Sequence, residues 1–213
     1  LRVARNLIQN GSIDRIAMVG VVGNLMLWAS GHDIGEGNRE FIRKSLGEAF
    51  DETWQDSQKL VSEYQSLLFL PSDLAIEDGG TRKNIGLDDL PTNFPIYDIG
   101  IDTMMRLRPL LMEANCLLWN GPASYFEKSE FAYGTVEIMN MFTEATGVTI
   151  VGGGHTSALF NQRGKADQVS HNSTGGGSVL TMLSGGIMPV FESLEASNNK
   201  FRPLLRSLGI SKE

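Results

Sequence analysis

The stretch from Val148 to Ser178 limits what this chain can fold into more than any other. A β-branched run, Val148-Thr149-Ile150-Val151, leads at once into Gly152-Gly153-Gly154-His155-Thr156. An apolar helical run follows, then Val169-Ser170-His171 and a second triplet, Gly175-Gly176-Gly177. A strand that delivers into glycines and a potential capping Thr is the layout in which backbone N–H groups and a helix N-terminus converge on an anion. One such turn can be no more than a tight corner. Two in one short span predict a pair of phosphate cradles side by side.

Charge sets the first difficulty for that reading. The 213 residues carry a formal net charge of −7, which argues against nucleic acid as a main partner, because phosphate backbones need a basic face. A protein of this charge that handles phosphorylated ligands must draw positive charge from Mg²⁺ or from protein outside this sequence. The opening points to the second source: Leu1 is not an initiator Met, and Leu1, Ala4, Leu7 and Ile8 already form a helical stripe, so the chain reads as a fragment. Apolar runs such as Ile16 to Val22 and Gly185 to Val190 fall far short of the ~20 residues of a membrane span, so a cytoplasmic location is expected. Three histidines and one cysteine are too few for a structural zinc site, and Cys116, in Cys116-Leu117-Leu118, reads as buried packing.

Strand and helix signals alternate along the chain. Helices are expected over Leu1 to Ile8, from about Asn24 to Gly31, from Asn38 to about Tyr64 (with Phe41, Ile42, Leu46, Ala49 and Phe50 on one stripe), over Met104 to Ala114 and over Phe131 to Thr146. Strands are expected at Ile16 to Gly20, Leu67 to Leu70, Leu74 to Ile76, Ile96 to Ile99, Leu117 to Asn120 and Val148 to Val151, with a surface excursion and a short hairpin between Asp78 and Pro95. Asp102 is a candidate N-cap, and Pro109 conflicts with the helix that contains it. The alternation predicts an α/β fold: a doubly wound, mostly parallel sheet with helices on both faces, a Rossmann-like three-layer arrangement. Gly20, Gly100, Gly121, Gly152 and Gly175 each follow a strand, at the edge where open α/β sheets bind ligands. A dinucleotide-binding dehydrogenase is disfavoured, because no Gly-x-Gly-x-x-Gly is followed by an acidic residue about twenty positions on.

In order and spacing, Trp119-Asn120-Gly121-Pro122, Phe126-Glu127, Phe131-Ala132-Tyr133-Gly134-Thr135, Glu144-Ala145-Thr146-Gly147, the first glycine run and Ser170-His171-Asn172-Ser173-Thr174-Gly175-Gly176-Gly177 resemble the C-terminal half of the phosphoglycerate kinase family. Asp98-Ile99-Gly100-Ile101-Asp102 and Gly20-Val21-Val22-Gly23-Asn24 extend the match, which leans toward the archaeal branch. The resemblance implies the ADP/ATP-binding half of an enzyme that transfers a phosphoryl group between 1,3-bisphosphoglycerate and ADP with Mg²⁺, giving 3-phosphoglycerate and ATP. The phosphoglycerate would be bound by a separate N-terminal half, so this chain would bind nucleotide without turning over; a non-catalytic nucleotide-binding module is the alternative. Carried over by motif, Gly20, Gly100, Ile101 and Pro122 would line an adenine slot, Asn120 would lie near the phosphates and Glu127 would hold the ribose hydroxyls. Gly153, Gly154, His155 and Thr156 would face the β and γ positions, and Gly175, Gly176 and Gly177 the phosphoryl group in transit. His155 stands where most bacterial and eukaryotic members carry an Asp that approaches magnesium. A hard cation prefers oxygen, so no residue here is assigned as a metal ligand. The family's Gly-Gly-Ala-Lys turn would fall just upstream of Leu1. Residues 1–190 would form the nucleotide domain and 191–213 a tail reaching toward the other half.

Other residues carry plainer readings. Ser157 has no acid and base grouping to make it a nucleophile, His32 reads as surface, and His171 is open between a core histidine and an indirect role at the second glycine loop.

Overall fold

The structure is a computed structural model that describes residues 1–173 and 175–208. Thr174 of the second glycine motif and residues 209–213 of the expected tail lie outside the described residues. In chain order the elements are α1 (Arg2–Gln9), β1 (Ile16–Ala17), α2 (Gly20–Ala29), α3 (Glu36–Leu46), α4 (Phe50–Tyr64), β2 (Leu68–Phe69), β3 (Asp73–Asp78), β4 (Thr81–Gly86), β5 (Ile96–Ile99), α5 (Ile101–Glu113), β6 (Cys116–Asn120), α6 (Tyr133–Glu144), β7 (Val148–Gly152), α7 (Gly154–Gln162), β8 (His171–Ser173), α8 (Gly176–Leu183) and α9 (Pro189–Ser207).

The fold class is the expected α/β one, with mostly parallel strands flanked by helices. The pairing divides into three ladders: β1-β2 and β6-β7-β8 are parallel, and β4-β3-β5 is antiparallel. The hairpin expected in the excursion exists, and it begins at Asp73, where Leu74 to Ile76 had read as a separate short strand. One core lies where β6 and β7 meet α5, α6 and α7, around Trp119, Phe142, Val151 and Phe160, with Trp119 packed 5.4 Å from the Phe142 ring and 5.7 Å from Phe160. A second joins the hairpin to α2 and α3 through Leu25, Ile34, Ile42, Leu74 and Ile96.

Several local expectations are corrected. The helix expected from Asn38 to Tyr64 is two, because Gly47 takes φ +53° and ends α3; the stripe breaks with it, leaving Phe41 and Ala49 exposed. α2 starts at Gly20, four residues before the expected Asn24, so Val21-Val22-Gly23 is helix and not turn. α5 runs through Pro109, which lies on the exposed face, where water can satisfy the carbonyl that a proline leaves without a donor. Cys116 is exposed and not core, because β6 alternates and Leu117 and Trp119 take its buried face. His171 is also exposed, paired with Ile150 near the start of β8, which removes the core reading. Ser157 is fully buried. Along α9, Phe191, Leu194, Phe201 and Leu204 are exposed, as is Leu208 just after it, and no residue of the helix is buried. No helix among the described residues is long and apolar enough to cross a membrane.

Candidate functional site

The carboxyl ends of β6, β7 and β8 stop in one row. Parallel pairing sets Asn120 opposite Gly152 and Gly152 opposite Ser173, so both glycine triplets open from adjacent strands at one edge. Gly152 lies against α8 as well: a Cβ built there would be 3.8 Å from Val179 Cγ1. The two triplets are therefore neighbours in space, as side-by-side cradles require.

At the first of them, Gly153 takes φ +94° and precedes α7, whose N-terminus has no side-chain cap. A Cβ at Gly153 would meet Asn120 Oδ1 at 2.9 Å, so the Asn120 side chain lies over this turn and only glycine fits beneath it. Gly154 and His155 are exposed at the mouth. Thr156 is buried, and its Oγ1 accepts a hydrogen bond from Gly121 N–H at 3.0 Å, tying the loop after β6 to the start of α7. Gly175 and Gly177 are exposed at the start of α8 beside Gly176. Free N–H groups at the head of α7, a positive helix end and exposed glycines favour a polyanion.

Of the residues expected at a base slot, Gly20 and Pro122 are brought together. Gly20, φ +61°, opens α2 against the loop after β6: a Cβ there would be 2.8 Å from the Pro122 carbonyl oxygen, so Gly20 and Pro122 meet backbone to backbone. Ile101 is half exposed at the start of α5, as are Val21 and Val22 at the start of α2. Glu127 is exposed and has no hydrogen bond among the described residues. Its segment is anchored on both sides: Phe126 packs on the core, Tyr125 N–H donates to Tyr97 O at 2.7 Å, and Lys128 Nζ donates to Glu77 Oε1 at 2.6 Å.

Gly100 has a different surrounding. The N-cap of α5 is Gly100 and not Asp102, and the carboxylate that serves this helix comes from β3. Asp73 Oδ2 accepts from Asp102 N–H at 3.0 Å and Oδ1 from Thr103 N–H at 2.7 Å. A Cβ at Gly100 would fall on that carboxylate. The head of α6 repeats the arrangement: Asp98 Oδ2 accepts from Gly134 N–H at 2.9 Å and from Arg82 Nη1 at 2.6 Å. Burial pushes the Asp98 carboxyl up to about 6 against the opposing pull of the Gly134 N–H and the Arg82 guanidinium. Sequence reasoning missed Asp73, Asp98 and Arg82 because each acts on a helix or loop remote in sequence. The one available signal was a carboxylate placed just before or within a short apolar strand.

Among the described residues no group of three or more His, Cys, Asp or Glu could hold a metal ion. The donors at the glycine edge are N–H groups, an amide, a hydroxyl and an imidazole, a poor set for protein-bound Mg²⁺.

The sequence matches a model of the phosphoglycerate kinase family over residues 1–186. It is 37% identical over 207 residues to the phosphoglycerate kinase of Thermococcus kodakarensis (95% of this chain, 49% of the relative) and 34% identical over 195 residues to that of Methanopyrus kandleri (91% and 47%). The crystal structure of phosphoglycerate kinase from Pyrococcus horikoshii superposes with a TM-score of 0.85 at 31% identity, covering 94% of this chain and 49% of that one. The Coxiella burnetii enzyme superposes at 0.77 and 28%, covering 92% and 49%. The chain thus spans about half the length of the relatives it matches. With both glycine triplets at one strand edge and the family model covering most of the sequence, this chain belongs to the phosphoglycerate kinase family.

Proposed function

We propose that this chain is the ADP/ATP-binding half of a phosphoglycerate kinase, and that the nucleotide's phosphates bind at the ends of β7 and β8. The observation that carries the reading is the register of Asn120, Gly152 and Ser173, which brings both glycine triplets to one edge beside an uncapped α7. Gly153, Gly154, His155 and Thr156 would face the β and γ phosphates, and Gly175, Gly176 and Gly177 the group in transit. Gly20, Ile101 and Pro122 would take the adenine, with Gly100 behind Ile101 as the residue that admits Asp73. Asn120 would lie beside the phosphates and Glu127 at the ribose. Mg²⁺ would arrive on the nucleotide's own phosphates.

Phosphoryl transfer has a loose transition state with charge spread over three equatorial oxygens, so the protein's work is placement and charge stabilisation. Backbone amides fixed by sheet register provide both without reorganising, each worth about 2.7–4 kcal/mol by comparison with other preorganised oxyanion donors. The acyl phosphate would be held by a second half that faces this edge, with residues 191–213 reaching toward it. The exposed apolar residues of α9 support that role for the tail.

Calorimetric titration with Mg²⁺·ADP is the direct test. Saturable binding that is lost in Gly153→Val supports the reading, as does the lack of ATP formation from 1,3-bisphosphoglycerate by this chain alone. Absence of ADP binding at millimolar concentrations, or binding indifferent to Gly153→Val, would overturn it.

A further inference from the structure

One side chain of the β3–β4 hairpin reaches the elements that frame the base and ribose side of the proposed site. Arg82 lies in β4, a strand with no buried residue, and its side chain retains 17% exposure. Nη1 donates to the fully buried Asp98 carboxylate at 2.6 Å, and Nη2 donates to the backbone oxygen of Ile99, the residue before Gly100, at 3.0 Å. The same Asp98 oxygen accepts the Gly134 N–H at the head of α6. The guanidinium also lies 5.9 Å from the Phe131 ring centroid and 5.6 Å from that of Tyr133, the residues that close the segment carrying Pro122 and Glu127. One planar fork thus touches the end of β5, the head of α6 and the far end of the loop after β6.

We propose that Arg82 is a positioning residue for the nucleotide site: it sets the spacing between the Gly100–Ile101 turn and the segment that carries Pro122 and Glu127. The inference rests on the nucleotide reading above. Arginine suits the task because two arms of a rigid fork grip a carboxylate and a carbonyl at once while the flat face stacks on aromatic rings, whereas a lysine ammonium is a single point on a flexible stem. Lys128 adds a second tie between hairpin and segment through Glu77, with its Nζ 5.0 Å from the Tyr97 ring centroid. The phosphate cradles belong to the separate ladder β6-β7-β8. Loss of Arg82 is therefore felt by the nucleoside end of the ligand and not by its phosphates, a split that a merely structural ion pair would not produce.

The test uses Arg82→Met, which keeps the stem and removes the fork, and Arg82→Lys, which keeps the charge. ADP and inorganic pyrophosphate are titrated by calorimetry into each variant and the wild type, with amide hydrogen exchange followed in the unliganded proteins. Arg82→Met is expected to weaken ADP about tenfold and leave pyrophosphate within about twofold, with Arg82→Lys in between. Exchange quickens over residues 99–103 and 121–135 and not over 152–160. Unchanged ADP affinity, equal losses for both ligands, or faster exchange throughout the chain would each overturn the inference while leaving the nucleotide site intact. Failure of the wild type to bind ADP overturns the site reading, and this inference with it. If Arg82→Met does not fold, Lys128→Met removes the second tie and is read by the same three measurements.

Discussion

Helices α5 and α7 each begin at a glycine that follows a strand, and they use that beginning in opposite ways. At the head of α5, Gly100 leaves room for the Asp73 carboxylate, which takes the N–H groups of Asp102 and Thr103. At the head of α7, Gly153 leaves room for the Asn120 amide alone, and exposed Gly154 and His155 keep the first N–H groups open to a ligand. The first helix head is filled by a carboxylate from within the fold, and the second has no side-chain cap among the described residues. Glycine after a strand is thus not a mark of binding; the mark is glycine whose neighbouring amides have no internal acceptor.

The widest separation between the two sites is expected from alanine at the two caps. Gly100→Ala forces the Asp73 carboxylate off α5 and leaves buried N–H groups and a buried charge without partners, for a loss of about 4 kcal/mol in urea unfolding. A loss under 1 kcal/mol would mean that the α5 head is not closed as described.

Asp98 at the head of α6 is the second filled site, and pH reads it. Its carboxyl holds a proton up to about 6 in the native state against 3.8 as the ordinary value. Its contribution to stability is therefore fully present below pH 3.8 and is lost as pH rises through 6. Compared with Asp98→Asn, the wild type should gain about 2–3 kcal/mol of stability as pH falls from 7 to 4. A difference between the two that stays constant with pH would contradict the burial argument.

At the open site the effects on folding are smaller and those on ligand larger. Gly153→Ala strains a residue at φ +94° and crowds Asn120, at about 1–2 kcal/mol, and should weaken ADP at least tenfold in calorimetry. Thr156→Val deprives the Gly121 N–H of its acceptor and should cost about 1 kcal/mol in thermal unfolding. Gly154→Ala, with open space around its Cβ and ordinary φ, should leave stability unchanged or raise it by about 0.5 kcal/mol while still reducing ADP affinity. Should Gly154→Ala bind ADP as the wild type does, the mouth of α7 is not where the phosphates sit.

Much of this was legible in the chain. Val148 to Val151 and Ile96 to Ile99 are strands because β-branched and apolar runs of that length, closed by glycine, have few other uses, and β5 falls on the expected residues. The pair of triplets was legible for the same reason. Local chemistry misled wherever a remote group decided the outcome. Asp102 reads as a cap by position, but α5 starts two residues earlier and β3 delivers Asp73 to its first amides. Cys116 reads as core by its apolar neighbours and His171 stays open to a core reading, but alternation in β6 and the short β8 turn both outward. The break at Gly47 depended on a positive φ that the glycine permits but does not require, and the passage of α5 through Pro109 on which face met solvent.

By itself the sequence determined the alternation of strands and helices and the glycines after them, since periodicity and the lack of a Cβ act over a few residues. Only the tertiary structure decided which of those glycines admit an internal carboxylate and which face an open edge. The amides that a helix leaves unpaired are satisfied by whatever the fold carries to them, and that partner can lie about thirty residues away, as Asp73 does from Thr103.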